Sequence, residues 1–176
     1  MFICVGYEID MENLKYVEEH NFEHFTHDMF LTMCILSGCD YLENVKGIGL
    51  KKAYKYVAQY GGNDVNHLLT KMKLDRFPVP HEYLDAFRRA FLTFKFQIVY
   101  CPKRNEFVHL NKLETHPLRT ALAEYQDTSF LGRILEHEEA LKIVRGEKNP
   151  RSLVDYELDP DKLFEIEGIA LKSRAE

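Results

Sequence analysis

An isoleucine between two glycines, Gly47-Ile48-Gly49, constrains the fold of this chain more than any other stretch. Glycine allows a tight reversal of the chain, and it has no Cβ atom to hold another backbone away. Leu42 and Val45 are three positions apart before this turn. An apolar stripe at helical spacing follows it and consists of Ala53, Tyr56 and Val57. The pattern predicts two helices joined by a hairpin, with Ile48 packed between them and a close crossing at Ala53.

The second helix is expected to begin at Gly49 or Leu50, where its free N–H groups and the positive end of its dipole favour an anion. Four lysines with no acid between them surround this start: Lys46, Lys51, Lys52 and Lys55. A bare Gly-x-Gly is also typical of an ordinary packing corner between two helices. Together with the apolar positions and the lysines, the pattern favours a phosphate-binding helix–hairpin–helix. Its lysines, Gly47 and Gly49 are the predicted contacts to a DNA backbone.

Composition limits the alternatives. The chain has 176 residues, enough for one domain, or the remainder of one, with its own core. Apolar residues make up 45%, including 12 Phe and 10 Tyr, which excludes disorder as the default state. The net charge is −5, so any nucleic-acid surface must be local. The charge is unevenly distributed. Residues 8–28 contain several Asp and Glu residues against Lys15 alone, whereas residues 46–55 contain four lysines and no acidic residue.

The cysteines and the apolar runs indicate the compartment. No Cys-x-x-Cys spacing occurs among Cys4, Cys34, Cys39 and Cys101, which lie in apolar surroundings. Buried, reduced thiols in an intracellular protein are therefore expected. No apolar run reaches membrane-spanning length, and the first residues do not make a signal peptide. We expect no association with a membrane.

Three histidines recur at helical spacing, namely His20, His24 and His27, with Glu23 and Asp28 nearby. A metal site is one interpretation of this segment. Phe22 and Phe25 separate the histidines, which is more typical of a surface and loop composition. The second interpretation is the one we favour.

The remaining pattern predicts a mainly α-helical chain with one short β-hairpin. An acidic helix is expected at 10–19 with Leu14 and Val17 facing inward, and Thr26 is expected to cap a buried helix at 29–36. Gly61-Gly62 should end the lysine-bearing helix. A later helix should begin at Pro80, with an aromatic stripe that belongs to the core. The other expected elements are a strand at 1–5, helices at 63–74, 119–125, 130–132 and 136–145, and a hairpin of 97–100 with 106–110.

The sequence from Cys34 to Leu50 includes Cys-Ile-Leu-Ser-Gly-Cys-Asp-Tyr-Leu and then Gly-Ile-Gly-Leu. This stretch resembles the structure-specific 5′ nucleases, the family of flap endonucleases and the XPG-type repair nuclease. Weaker similarity involves Glu8-Ile-Asp10, the phenylalanine-rich segment before Gln-Ile-Val-Tyr-Cys-Pro, and residues 139–149. The resemblance covers roughly residues 6 to 160.

The resemblance implies a fold. Family members have a PIN-like α/β nuclease core with a helix–two-turn–helix set against it. The chain is therefore expected to be the helix–two-turn–helix region of such a domain, lacking its N-terminal part. The implied division is the end of the nuclease core at 1–28, the DNA-binding motif at 29–62, C-terminal helices and hairpin at 63–146, and a peripheral tail at 147–176.

The resemblance also implies an activity. Family members are nuclear DNA-repair enzymes, 5′→3′ exodeoxyribonucleases and flap endonucleases that act on DNA with 5′ ends, gaps or flaps. They use two magnesium ions held by a cluster of carboxylates. Asp40 is the one ligand position matched here, because Glu8 and Asp10 align with a stretch downstream of the other ligands. Two-metal hydrolysis needs several oxygen ligands, so this chain alone is expected to be inactive. It is also expected to be a monomer.

Two alternatives accompany these expectations. From the residues alone, Asp40 could equally be the N-cap of a short helix. The chain could also be a scaffold module that binds DNA without catalysis. In relatives, the positions of Ser37, Asn44 and Ile48 hold a potassium ion that bridges the hairpin to a DNA phosphate. Sequence-specific readout is not expected in either case, because phosphate contacts carry no sequence information.

Overall fold

The structure is a computed structural model, and it describes residues 10–62 and 64–156. The expected strand at 1–5, Glu8 and the tail beyond Tyr156 lie outside the described residues. This part of the chain contains no helix with the length and apolar composition needed to cross a membrane. The elements in chain order are a 3₁₀ helix (Met11–Tyr16), α1 (His27–Ser37), α2 (Leu50–Tyr60), α3 (Val65–Leu74), α4 (Tyr83–Phe96), β1 (Ile98–Cys101), β2 (Glu106–His109), α5 (Arg119–Ala123), a second 3₁₀ helix (Ser129–Leu131) and α6 (His137–Val144).

The chain divides into two compact units, of which the first ends at Lys95. Its central element is α1, as the sequence predicted. The Thr26 hydroxyl accepts a hydrogen bond from the Met29 N–H at 3.2 Å and so caps the helix. The buried residues of α1 are Leu31, Thr32, Met33, Ile35 and Leu36.

The helix expected at 10–19 is shorter than predicted. The Asp10 carboxylate accepts a hydrogen bond from the Glu12 N–H at 2.9 Å and starts a 3₁₀ helix. Val17 has an extended backbone and ends it. Leu14 packs against the core as expected, but Val17 is exposed, so the inward orientation predicted for Val17 is wrong.

The second helix, α2, packs closely on α1. Ala53 and Val57 are fully buried, and the Thr32 hydroxyl donates a hydrogen bond to the Gly62 carbonyl at 3.2 Å. The predicted C-cap is confirmed, because α2 ends at Gly61 with a φ of 76°. This cap turns the chain back across the first turn of α1.

The next helix, α3, begins where the sequence predicted. The Asp64 carboxylate accepts a hydrogen bond from the His67 N–H at 3.1 Å. Its inward face consists of Leu68, Leu69 and Met72, all buried. The start of α4 differs from the prediction, because Pro80 lies in a turn whose carbonyl accepts from the Tyr83 N–H at 3.3 Å. The α-helical bonding therefore begins later, with the Ala86 N–H donating to the Glu82 carbonyl.

The aromatic stripe of α4 belongs to the core, as predicted. Tyr83 and Phe87 are buried, and Leu84, Phe91 and Phe94 pack partly buried against the same cluster. Burying aromatic side chains of this size is the main source of hydrophobic stabilisation in such a unit.

The second unit begins at Phe96 and contains the predicted hairpin. β1 and β2 are antiparallel and pair Ile98 with His109 and Cys101 with Glu106. The turn closes at Asn105, which has a positive φ of 57°. The expected weaker helices are present as α5, the second 3₁₀ helix and α6. Past α6, the Lys148 ammonium bonds the Glu139 carboxylate at 2.9 Å.

Candidate nucleic-acid interface

Two tight turns connect α1 to α2. In the first turn the backbones of Cys39 and Leu42 exchange two hydrogen bonds, at 2.9 and 3.2 Å. In the second turn the Ile48 N–H donates to the Val45 carbonyl at 2.8 Å. The short helix expected around Leu42 and Val45 is therefore absent, because its backbone groups are used by the turns. Ile48 is fully buried and Val45 nearly so, as predicted.

The two glycines of the second turn have different roles. Gly47 has a φ of 88°, a conformation that a residue with a side chain rarely adopts. A Cβ there would also lie 3.5 Å from the Phe77 ring. Gly49 has an ordinary φ of −109°, and its Cβ would meet no atom within 4 Å. The fold requires glycine at position 47, whereas position 49 faces open space.

The start of α2 is open to solvent. Gly49 is the N-cap and provides no side-chain hydrogen bond, while its carbonyl accepts from the N–H groups of Lys52 and Ala53. Gly49 and Leu50 are exposed. The first N–H groups of a helix lack partners within it and carry the positive end of the dipole. The prediction that α2 starts at Gly49 or Leu50 is confirmed.

The four lysines predicted to contact DNA are exposed around this helix start, namely Lys46, Lys51, Lys52 and Lys55. None of them forms an ion pair with a carboxylate of the described residues. The Lys52 ammonium donates a hydrogen bond to the Gly47 carbonyl at 2.8 Å and lies 4.8 Å above the centre of the Phe77 ring. The sequence did not predict this contact with Phe77. Its only indication was that an aromatic residue precedes Pro78 in the connection between two helices.

The three residues expected to hold potassium are brought to one corner. The Ser37 hydroxyl donates to the Cys34 carbonyl at 2.8 Å. The Asn44 side chain packs beside Gly38, the residue after Ser37. A Cβ atom added to Gly38 would lie 3.5 Å from the Cβ atom of Asn44. The Asn44 amide donates to the Ile48 carbonyl, and to the Val45 carbonyl at 3.4 Å. Hydroxyl and carbonyl oxygens suit a hard cation, but the amide already uses the Ile48 oxygen.

Asp40 lies exposed in the first turn. No helix follows it, so the alternative in which Asp40 caps a short helix is wrong. Its neighbour Tyr41 packs edge-on against Phe94, with ring centres 5.1 Å apart. Residues 10–62 and 64–156 contain no group of three or more His, Cys, Asp or Glu placed to share a metal ion. A single carboxylate among them does not make a divalent-metal site.

The histidines that suggested a metal site make other contacts. His20 stacks on Tyr54, with ring centres 4.4 Å apart, and Tyr54 also stacks on Phe25 at 5.4 Å. The Nδ1 atom of His27 lies 3.7 Å from the Asp28 carboxylate. These histidines thus contribute to an aromatic cluster and to the first turn of α1.

The described cysteines are free thiols, but they are partly exposed and not buried as predicted. Burial, aided by nearby Cys39, raises the pKa of the Cys34 thiol. The backbone N–H of Arg104 lowers the pKa of Cys101, which ends β1. The apolar sequence around each cysteine did not ensure burial, because two of them stand at the ends of elements.

Sequence comparison finds relatives among proteins named exonuclease 1 and flap endonuclease 1. No protein-family profile matches the chain. Exonuclease 1 of Arabidopsis thaliana is 31% identical over 154 residues, which is 88% of this chain and 20% of that protein. Exonuclease 1 of Danio rerio is 38% identical over 126 residues, 69% of this chain and 15% of that protein. Flap endonuclease 1 of Micromonas commoda is 40% identical over 70 residues, 40% of this chain and 17% of that protein. The chain spans about a fifth of the length of the curated relatives it matches.

Proposed function

We propose, from the premise that this chain is a sequence relative of exonuclease 1 and flap endonuclease 1, that it holds the DNA backbone for a 5′ nuclease. The activity would be 5′→3′ exodeoxyribonuclease and flap endonuclease cleavage in nuclear DNA repair. The substrate is DNA with a 5′ end, gap or flap. Recognition is independent of sequence, because the proposed contacts are to phosphates.

The observation that carries the proposal is the open start of α2. A phosphate that approaches Gly49 would meet free helix N–H groups, no Cβ atom, and several ammonium groups that form no ion pair with a carboxylate of the described residues. These are the features of an anion site at a helix N-terminus. The Lys52 ammonium, fixed between the Gly47 carbonyl and the Phe77 ring, adds a positive charge in a defined position.

Catalysis would need more carboxylates than this site provides. We assign Asp40 as one ligand of a magnesium cluster, since it is exposed and lies in the turn three residues past the end of α1. Bound magnesium would activate water and stabilise the oxygens of an in-line displacement. The described residues place no group of three or more His, Cys, Asp or Glu side chains around Asp40. They would position DNA, and Asp40 would serve a cluster completed by other carboxylates.

We also assign Ser37, Asn44 and Ile48 to a potassium ion between the hairpin and a phosphate. The ion would use the Ser37 hydroxyl and the Ile48 carbonyl. The Asn44 amide now donates to the Ile48 oxygen, so the ion would share that oxygen with the amide or displace it. This assignment is separate from the lysine contacts and can fail without them.

The test is binding of a fluorescent flap duplex to the wild-type chain and to Lys51→Ala/Lys52→Ala across salt concentrations. Each lost phosphate contact should reduce the slope of log affinity against log salt by about 0.9, so the double variant should lose roughly 1.8. Lys15→Ala/Lys73→Ala removes the same charge from outside the hairpin and is the control. An unchanged slope in the hairpin variant, or an equal loss in the control, would refute the proposal.

A non-catalytic scaffold is the second candidate. The exposed lysines and the open start of α2 favour it, because they can hold a phosphate without any catalytic group. The two candidates differ in one measurement, which is cleavage of a labelled flap duplex in magnesium by the protein as expressed from its gene. Magnesium-dependent cleavage that is lost in Asp40→Asn supports the nuclease. DNA binding without cleavage supports the scaffold.

A further inference from the structure

A row of aromatic rings runs from the hairpin along α2 to α3. The Phe77 ring stands edge-on to Tyr56, with centres 6.3 Å apart, and Tyr56 stacks with Tyr60 at 6.1 Å. Tyr60 then meets His67 edge-on at 5.6 Å. Tyr56 and Tyr60 are four positions apart on α2 and so share one face with Lys52. We call these four rings the aromatic row.

Lysines lie over two rings of the aromatic row, Phe77 at its first end and Tyr60 next to its last ring, His67. The Lys52 ammonium is 4.8 Å from the centre of the Phe77 ring, and the Lys71 ammonium is 5.6 Å from the centre of the Tyr60 ring. Neither forms an ion pair with a carboxylate of the described residues. The ring faces attract the ammonium groups and restrict their positions, so both charges are held at the surface.

The part of α2 that carries the row is long enough to follow several phosphates of a DNA strand. Lys52 and Tyr60 are eight residues apart on α2, which is about 12 Å along the helix. A DNA strand places one phosphate per 3.4 Å of helix axis. Measured along a duplex axis, this length of α2 corresponds to about three to four phosphates of one strand.

We propose that the aromatic row extends the DNA path beyond the hairpin, with Lys52 and Lys71 bound to phosphates of the same strand. This inference rests on the proposed function and adds the direction in which the duplex runs. The sugar–phosphate backbone lies along the row, and the tyrosine rings support the ammonium groups. Lys71 is the contact that distinguishes this path from binding at the hairpin alone.

One carboxylate faces the row. The Tyr56 hydroxyl donates a hydrogen bond to Asp75, and burial together with that bond raises the pKa of Tyr56. Asp75 is thus held at the edge of the row by a neutral phenol. Its charge opposes the nearest phosphate, which limits the affinity of the path, but Asp75 forms no ion pair with Lys52 or Lys71.

The test compares Lys71→Ala with Lys73→Ala in binding of the flap duplex. Residues 71 and 73 are both on α3, and a separation of two residues puts them on nearly opposite sides of a helix. Lys71→Ala should weaken binding about threefold to tenfold at low salt and reduce the salt slope by about 0.9. Lys73→Ala should leave the slope unchanged. Circular dichroism checks that both variants are folded.

The hairpin variant Lys51→Ala separates the two proposals. If Lys51→Ala weakens binding and Lys71→Ala does not, the hairpin binds DNA and the row does not. If neither does, the proposed function fails as well. Equal losses in Lys71→Ala and Lys73→Ala would mean diffuse attraction and would overturn the path. Wild-type DNA binding by Lys71→Ala with lost binding of an acidic peptide would assign the row to a protein partner instead.

Discussion

A Cβ atom on Gly62 would lie 2.7 Å from the Cα of Met29, closer than real Cβ atoms approach a backbone. The neighbouring atom is main chain and cannot rotate away. The two helices that present the hairpin can pack at this distance only because position 62 has no side chain. The geometry of the candidate interface therefore depends on Gly62, which lies outside the hairpin.

Gly62→Ala should lower the free energy of unfolding by about 1 to 3 kcal/mol, the range for overpacked sites. Gly61→Ala is the control, because it strains a positive φ of 76° but meets no atom within 4 Å. Urea unfolding measures both. If Gly62→Ala were no more destabilising than Gly61→Ala, the close contact would not limit the packing.

Gly49→Ala should separate binding from folding. Its side chain enters open space, so the free energy of unfolding should change by less than about 0.5 kcal/mol. DNA affinity should fall, because the methyl group blocks a phosphate from the helix start. Gly47→Ala should instead cost about 1 to 2 kcal/mol through its positive φ. Unchanged flap-duplex binding by Gly49→Ala would contradict the role of this position.

Tyr83→Phe should stabilise the first unit. The Tyr83 hydroxyl is buried without a hydrogen-bond partner among the described residues, so removing it should add about 1 kcal/mol to the free energy of unfolding. Burial, aided by nearby Cys39, raises the pKa of the Tyr83 phenol to about 12, and the Val45 backbone opposes this rise. Lower stability of Tyr83→Phe in urea at pH 7 would show that the hydroxyl is satisfied.

The same substitution should alter the response to alkali. The unfolded phenol ionises near pH 10, whereas the folded one keeps its proton to about pH 12. Stability from this group is therefore complete below pH 10 and is lost as the pH rises from 10 to 12. The difference between Tyr83→Phe and wild type should be larger at pH 11 than at pH 7. An equal difference at both pH values would argue against the raised pKa.

Asn44→Ser should increase the dependence of DNA binding on potassium. Serine lacks the amide that donates to the Ile48 carbonyl, so that oxygen becomes available to an ion. The measurement is the ratio of affinities in potassium and in tetramethylammonium at equal ionic strength. The ratio should exceed that of the wild type. Identical ratios would remove Asn44 and Ile48 from any ion site.

Asp40→Asn should abolish cleavage and preserve DNA binding. Asp40 is exposed, so the free energy of unfolding should change by less than about 0.5 kcal/mol. Affinity in calcium should be equal or slightly higher, since a negative charge is lost near the DNA. In the protein as expressed from its gene, cleavage in magnesium should fall by about 100-fold or more. A wild-type rate would exclude Asp40 from the metal cluster.

Sequence periodicity predicted the long helices and failed at two short stretches. The apolar runs of α1 and α3 extend over several turns, so their spacing specifies a helix. Leu42 and Val45 are a single i, i+3 pair, which fits two turns as well as one helical turn. The orientation of Val17 was predicted wrongly because the 3₁₀ helix ends before this residue.

The candidate site was predicted where its parts are local. The lysines and glycines lie close together in sequence, so a turn and a helix start suffice to gather them. The ring of Phe77 beneath Lys52 joins positions 25 residues apart, and no local spacing indicates such a contact. The metal and DNA roles of Asp40, Ser37 and the lysines stay predictions, since they depend on partners that spacing alone does not reveal.

The open space beside Gly49 has a consequence for how this sequence can change over generations. A descendant that stopped binding DNA would keep glycine at position 47, because the backbone there still needs it to fold. Position 49 would drift, since no atom of the described residues lies within 4 Å of a Cβ atom there. Whether related sequences keep glycine at position 49 therefore indicates whether a ligand still constrains the hairpin.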